Sequence, residues 1–195
     1  LGMRVGMLTR VAEDPVGAFV AQFLADIGVD TSHIQYDRSG ASTSVAFAET
    51  RSTGSRTVLY RNNAADLRLS PADIDREYVA SSAMLLISGQ ALATTPSRDA
   101  AMVAVEYARQ DGTAVVLDID YRHYSWETPE AASAALLAVA QRSQVVIGTR
   151  EEFDALELVY RNSSPSKEGT DSRDRESAAY LLERGVSLVV IKRGE

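Results

Sequence analysis

The chain contains no cysteine and only two histidines, His33 and His123, which restricts the metal and redox chemistry it can carry. Without cysteine, a disulfide framework and a thiolate metal site are excluded, and two histidines are too few for a multi-histidine cluster. No apolar run approaches the roughly 20 residues that cross a bilayer, and the first residues carry no recognisable secretion signal. We therefore expect a cytoplasmic protein.

Basic residues are also in deficit, since 20 Lys and Arg stand against 27 Asp and Glu, for a formal charge of −7. This balance argues against non-specific binding to nucleic acid, which depends on a basic surface. The 195 residues, 45% of them hydrophobic, suit one large domain with a substantial core. Because the chain starts at Leu1 and stops directly after a strand-like segment, we expect it to be truncated at both ends.

Short apolar runs alternate along the chain with segments of helical pattern. The lengths of the runs suit strands buried on both faces of a parallel sheet, and they lie at 5–8, 83–88, 114–119, 144–147 and 188–192. Helices are expected at 15–27, 97–110, 129–142, from 150 onward and at 172–184. The first of these carries an apolar stripe formed by Val16, Phe19, Val20, Phe23, Leu24 and Ile27. The order predicts an α/β fold with a mostly parallel sheet.

Residues 34–61 interrupt this order. Two alternating segments, 43–49 and 56–60, are separated from their surroundings by Gly40 and Gly54. This pattern predicts a small antiparallel insert, which would form a β-lid on a core made of residues 1–33 and 62–195. The alternative is a hairpin that simply packs on that core.

Polar and charged residues follow three of the predicted strands at their carboxyl ends, where ligands bind in open α/β sheets. Arg122 in the segment 118–122 suits a phosphate or carboxylate, although an internal Asp–Arg pair would equally close a loop. The segment 148–153 begins a helix, whose first turn favours acidic residues for any function. Lys192, in the segment Lys192-Arg193-Gly194 after the last strand, is suited to approach a polyphosphate together with the glycine.

Two further observations narrow the chemistry. Tyr60 and Arg61 end the last strand of the insert, where an arginine is suited to clamp an acidic ligand, unless it is merely solvated. The sequence has neither the Gly-x-Ser-x-Gly nucleophile elbow nor the Gly-x-x-x-x-Gly-Lys-[Ser/Thr] phosphate loop. Hydrolase and P-loop functions are therefore disfavoured.

Taken in order, these segments resemble the ribokinase/PfkB family of carbohydrate kinases over essentially the whole chain. The resemblance is carried by RVAEDPVGAFV (10–20), LYRNNAADLRLSPADID (59–75), LLISGQALATTPSR (85–98), VVLDIDYRHYSWETPEAA (115–132), VVIGTREEFDAL (145–156) and GVSLVVIKRGE (185–195). It implies a three-layer α/β/α sandwich with a β-lid that often forms a dimer contact. The implied activity is transfer of a phosphoryl group from ATP, with magnesium, to a sugar hydroxyl, and the segments favour a sugar acid.

The resemblance implies roles for residues on the substrate side. Tyr60 and Arg61 match lid residues that approach the substrate and its carboxylate in related kinases of keto-deoxy sugar acids. Arg122 matches the arginine of an Asp-x-Asn-x-Arg motif near the substrate and the transferred phosphate. In that motif Asp120 stands in place of the asparagine.

On the nucleotide side, Glu152 matches the glutamate of an Asn-x-x-Glu motif that organises magnesium and phosphate, usually through water. Thr149 stands where that motif has asparagine. Lys192 and Gly194 fall where the strand before the nucleotide loop meets the phosphates. The resemblance thus implies an ATP site at Thr149, Glu152, Lys192 and Gly194.

Two motifs of the family are expected outside the chain: an N-terminal Gly-Gly sugar-binding motif and the C-terminal Gly-Ala-Gly-Asp motif, whose aspartate is the catalytic base. Within the family, a 2-keto-3-deoxygluconate kinase or another sugar kinase is the alternative function. From a different class, a sensor that binds sugar or nucleotide without catalysis is also compatible with the sequence.

Overall fold

The computed structural model describes residues 2–51, 54–161 and 170–193, with the backbone alone for residue 51 and residues 54–57. The chain divides between Asp73 and Ile74 into two compact units. Among the described residues, no helix is long and apolar enough to cross a membrane.

The described residues of the first unit form short parallel strand pairs, one α-helix, one hairpin and two short 3-10 helices at Asp66–Arg68 and Pro71–Asp73. Its elements are β1 (Val5–Gly6), β2 (Thr9–Ala12), α1 (Pro15–Asp26), β3 (Val29–Asp30), β4 (Ile34–Asp37), β5 (Val45–Arg51) and β6 (Gly54–Tyr60). Strand β1 pairs with β3 and β2 with β4, both in parallel, whereas β5 and β6 are antiparallel. Helix α1 begins at Asp14, whose carboxylate accepts a hydrogen bond of 2.7 Å from the Gly17 N–H.

The predicted start of the antiparallel insert, at residue 34, is wrong, because residues 34–37 form the parallel strand β4. Residues 34–37 pair in parallel with β2, because α1 and β3 return the chain in the direction of β2 before it pairs. Ile34 is buried with Val11 and Ala21 in the small core of this unit. The antiparallel hairpin therefore begins only at Val45 and ends at Tyr60.

Helix α1 buries only part of its predicted apolar stripe. Val20 and Leu24 pack on the core of the first unit. Phe19 and Phe23 are exposed, and their rings stack on each other with centroids 6.2 Å apart. The helix thus has the predicted length, but its most hydrophobic residues lie outside the core.

The second unit is a four-stranded parallel sheet with helices. Its elements are α2 (Arg76–Ala80), β7 (Met84–Ser88), α3 (Ser97–Asp111), β8 (Ala114–Asp118), α4 (Pro129–Ala140), β9 (Val145–Thr149), α5 (Arg150–Glu157), α6 (Thr170–Leu182) and β10 (Leu188–Lys192). The strand order is β10-β9-β8-β7, and all three pairings are parallel. The four strands and helices α3 to α6 lie where the sequence predicts them, within about two residues, whereas the short helix α2 was not predicted.

Packing in this unit is concentrated on one face of the sheet. Val115 and Leu117 of β8 and Val146 of β9 are fully buried, together with Leu136 of α4 and Phe153 of α5. On the opposite face, Leu86 and Leu188 of the two outer strands remain exposed. Since the strands are parallel, their carboxyl ends, which carry the predicted site residues, share one edge.

Candidate phosphate-binding edge

The carboxyl end of β8 carries a half-exposed group of polar side chains. Arg122 Nη2 lies 2.9 Å from the Asp120 carboxylate, and the arginine side chain is 53% exposed. Ser88 Oγ, at the end of the neighbouring β7, donates to the same carboxylate over 3.2 Å. Gln90 Nε2 donates to the carbonyl of Asp120 over 2.8 Å. These bonds fix the turn that presents Arg122 to solvent at the edge.

Asp120 adopts a backbone conformation that few residue types tolerate. Its φ angle is +35°, in the left-handed region. Asparagine and aspartate are the non-glycine residues that enter this region most readily. The presence of aspartate where the resembling motif has asparagine is therefore compatible with the same turn.

Lys192 reaches across the end of β9 to the end of β8. Its Nζ lies 3.3 Å from Oδ1 of Asp118, and both side chains are partly exposed. In the sheet, Lys192 is the register partner of Thr149, and Asp118 is the partner of Ile147. The ends of three neighbouring strands thus place a cation and a carboxylate side by side.

Thr149 and Glu152 form a reciprocal capping box at the start of α5. The Thr149 hydroxyl accepts from the Glu152 N–H over 3.3 Å, and the Glu152 carboxylate accepts from the Thr149 N–H over 2.8 Å. This capping box satisfies two N–H groups that the first helical turn leaves free. Glu152 is only 8% exposed, and a Cβ on Gly148 would lie 3.3 Å from its Oε2 and 2.7 Å from Ile119. Glycine therefore leaves room for this carboxylate.

Because β8 and β9 are adjacent and parallel, Arg122 and Glu152 follow the same edge of the sheet. Their charged groups have other partners, since Arg122 pairs with Asp120 and Glu152 with the backbone of Thr149. Lys192 stands next to Thr149 in the register, whereas Gly194 lies outside the described residues. The predicted nucleotide residues Thr149, Glu152 and Lys192 are thus grouped.

Tyr60 and Arg61 belong to the first unit. The Arg61 guanidinium donates twice to Oδ2 of Asp66, over 2.9 Å from Nε and 2.5 Å from Nη2. Ser44 donates to the other oxygen of that carboxylate over 2.6 Å. The exposed ring of Tyr60 meets Phe47 edge to face, with centroids 5.8 Å apart. Arg61 thus already binds a carboxylate, and Asp66, its partner, was missed by the sequence analysis.

A buried ionic cluster next to the capping box was also missed. Arg150 donates to Glu157 over 2.7 Å, to Asp174 over 3.0 Å and to Asp154 over 3.1 Å. Its side chain is 11% exposed. Burial by itself would lower the pKa of Arg150, but the bonds to Glu157 and Asp174 raise it above its usual value. Of these contacts only those to Asp154 and Glu157, one and two helical turns ahead, leave a trace in the sequence.

A third feature that sequence reasoning missed is a cavity near the starts of α3 and α4. It has a volume of about 300 Å³ and is lined by Ala93, Thr94, Thr95, Arg98, Ser125, Glu127 and Ala131. Arg98 is held in place by the carbonyls of Leu92 and Ala93. Its guanidinium carbon lies 6.0 Å from the ring centre of Trp126, which is buried. Nothing in the pattern of residues 93–98 signals this cavity.

Comparison with known proteins gives matches along the whole chain. The family model described as pfkB family carbohydrate kinase matches residues 1–195. A curated protein of Geobacillus kaustophilus (strain HTA426), named 5-dehydro-2-deoxygluconokinase, is 42% identical over 196 residues, which cover 100% of this chain. The chain spans only 56% of the length of that relative.

Solved structures show the same fold. The crystal structure of a PfkB protein from Polaromonas sp. JS666 superposes with a TM-score of 0.83 at 26% identity, covering 100% of this chain and 62% of that one. A fructokinase from Xylella fastidiosa, solved with bound ATP, superposes with a TM-score of 0.78 at 19% identity, covering 99% and 58%. The predicted ribokinase-like α/β fold class is confirmed.

Proposed function

The chain belongs to the pfkB family of carbohydrate kinases, and we propose that the complete protein transfers a phosphoryl group from ATP to a hydroxyl of a sugar acid in the cytoplasm. The proposed substrate is 5-dehydro-2-deoxy-D-gluconate, converted to its 6-phosphate in myo-inositol catabolism. The observation that carries this proposal is the grouping of Thr149, Glu152 and Lys192 at the carboxyl edge of β9 and β10. The 42% identity to the relative named 5-dehydro-2-deoxygluconokinase supports this choice of substrate.

The edge suits phosphoryl transfer because this reaction needs positioning and charge neutralisation more than covalent chemistry. Lys192 supplies positive charge to the phosphates of ATP, and the positive N-terminal end of the α5 dipole adds to it. Arg122 stabilises the charge that develops on the transferred phosphoryl group. Its half-exposed position lets it exchange Asp120 for a phosphate oxygen at small cost.

The donor set of this edge fits magnesium bound mostly by water and phosphate. No group of three or more acidic or histidine ligands occurs among the residues described by the structure. Magnesium in nucleotide sites commonly uses only one or two carboxylates, and Glu152 would provide one, through water. When bound, the ion supplies positive charge to the phosphate oxygens.

Arg61 and Tyr60 bind the sugar acid in this proposal. A guanidinium recognises a carboxylate through charged hydrogen bonds, and in this proposal the carboxylate of the sugar acid takes the place of Asp66, whose Oδ2 now accepts from Nε and Nη2 of Arg61. The hairpin that ends in Tyr60 covers the sugar and excludes water, which suppresses hydrolysis of ATP. The same hairpin exposes Phe47 and Tyr60, and we propose it as a dimer contact, to be checked by light scattering of a Phe47→Ser variant.

The test uses the complete protein, ATP and magnesium with a panel of sugar acids and neutral sugars. We expect 5-dehydro-2-deoxygluconate to be phosphorylated with the highest kcat/KM of the panel. Mass spectrometry and phosphorus NMR of the product identify the phosphorylated hydroxyl. A preference for 2-keto-3-deoxygluconate would establish the rival substrate. Binding of sugar or nucleotide without any turnover would instead establish a sensor.

Arg61→Ala tests the substrate side of the site. Removal of the guanidinium should raise the KM for the sugar acid by about tenfold or more, since charged hydrogen bonds are among the stronger ones. The KM for ATP should stay near its wild-type value. Arg38→Ala, which changes an arginine of the same unit whose side chain is 78% exposed, serves as the control. Equal effects of Arg61→Ala on both KM values would contradict the assignment.

A further inference from the structure

Asp174 in α6 binds two arginines that directly follow two different strands. Its Oδ1 accepts from Arg150 Nη1 over 3.0 Å. Its Oδ2 accepts from Arg193 Nε over 3.1 Å and from Arg193 Nη2 over 2.6 Å. The residue is 8% exposed. One buried carboxylate therefore bridges the residue after β9 and the residue after β10.

The bridge lies directly beside the proposed nucleotide residues. Thr149 and Lys192 are register partners at the ends of β9 and β10. Arg150 and Arg193 are the residues directly after the two strands, and both are held by Asp174. The ladder pairs the strands up to Thr149 and Lys192, and beyond that point a single side chain of α6 joins the two residues that follow.

The cluster keeps this carboxylate ionised. Burial alone would raise the pKa of Asp174, but the hydrogen bonds from Arg150 and Arg193 bring it below its usual value. Buried ion pairs are often no more stabilising than apolar packing, and their best-attested use is to fix one specific arrangement. This cluster fixes the two strand ends that carry the proposed phosphate ligands.

We propose that Asp174 is a positioning residue for the nucleotide: through Arg150 and Arg193 it holds the chain that leaves Thr149 and Lys192 in one arrangement, and so orients these two residues, which bind the phosphates of ATP. The inference rests on the proposed function, because the nucleotide role of Thr149 and Lys192 belongs to it. Asp174 itself makes no contact with ATP in this proposal.

The test is Asp174→Asn in the complete protein. Asparagine keeps the shape of the side chain and removes its charge, so one of the two arginine contacts is weakened. We expect the Kd for the ATP analogue AMP-PNP with magnesium, measured by calorimetry, to rise about tenfold, together with the KM for ATP. The sugar KM and kcat at saturating ATP should stay close to wild type, which a general loss of structure would not allow.

Glu176→Gln is the matched control. Glu176 lies on the same helix, is exposed, and pairs with Arg161 over 3.3 Å rather than with Arg150 or Arg193. Its nucleotide affinity should equal that of wild type. Should Asp174→Asn fail to fold, Arg193→Gln breaks the same bridge at its exposed end and must raise the Kd for AMP-PNP as well.

Equal affinity of wild type and Asp174→Asn for AMP-PNP would overturn the inference, as would an unchanged affinity of Arg193→Gln. A parallel rise of sugar KM and ATP KM would overturn it too, because the role would then be purely structural. Calorimetry needs no turnover, so a protein that binds AMP-PNP but phosphorylates no sugar would count against the proposed function alone.

Discussion

Arg122 and Arg150 follow neighbouring strands at the same edge, yet they lie in opposite environments. Arg122 is 53% exposed and pairs with one carboxylate. Arg150 is 11% exposed and binds Asp154, Glu157 and Asp174, with Ser177 as a fourth partner. The two side chains are chemically identical, so the difference in role comes from their surroundings.

The comparison teaches which arginine is available to a ligand. Exchanging the partner of an exposed guanidinium costs little, since water and salt already weaken such pairs. When a buried guanidinium leaves its carboxylates, the carboxylate charges remain unpaired in a poorly solvated site, which is costly. Arg122 is thus suited to bind and release phosphate, whereas Arg150 is suited to hold the start of α5 in place.

The largest expected effect is the loss of stability when the buried arginine, Arg150, is removed. Arg150→Ala removes the cation that Glu157 and Asp174 share, although Arg161 and Arg193 still pair with them. We therefore expect the free energy of unfolding to fall by about 3 kcal/mol, the lower end of the range for breaking a buried ion pair. Chemical denaturation of the complete protein measures this loss. Arg122→Ala is the matched variant on the exposed side and should lower stability by less than about 1 kcal/mol. Similar losses for both variants would show that burial does not separate them.

The next expected effect is a loss of catalytic rate when the exposed arginine, Arg122, is removed. Arg122→Ala should lower kcat by about 10²–10³, the range found when one donor to a developing charge is removed. Steady-state kinetics with saturating ATP and sugar acid measures it. The folded protein should keep its melting temperature, which separates this loss from that of Arg150→Ala. A kcat close to wild type would remove Arg122 from the proposed mechanism.

The smallest expected effect is a change in stability at Thr149, which lies between the buried cluster around Arg150 and the exposed edge of the sheet. Thr149→Ala removes the hydroxyl that accepts the Glu152 N–H, and we expect a loss of about 1 kcal/mol in unfolding free energy. Thr149→Ser keeps the cap and should recover most of that loss. If serine were no better than alanine, the capping box would not stabilise α5.

Local patterns predicted much of the fold. The four strands of the second unit and the capped start of α4 at Thr128, whose hydroxyl accepts the Ala131 N–H over 3.1 Å, follow from apolar runs and cap residues. Strand β2 escaped the prediction because four residues carry little periodic signal. Residues 34–37 were assigned to the insert because alternation does not specify whether a strand pairs in parallel.

The candidate site was predictable only as far as the chain's own order reaches. Arg122, Glu152 and Lys192 follow strands, so their place at one edge follows once the strands are parallel. The partners of charged groups were not predictable. Asp174 lies 24 residues from Arg150 along the chain, and no spacing rule links them.

The sequence alone determined the succession of helices and strands and the edge on which polar residues collect, because both depend on neighbours within a few residues. Only the tertiary structure decided which charges are buried and paired: Arg150 with Asp174, and Arg61 with Asp66. It also decided that α1 turns Phe19 and Phe23 outward. The physical reason is that solvation and ion pairing depend on which distant segments pack together, and periodicity carries no information about that.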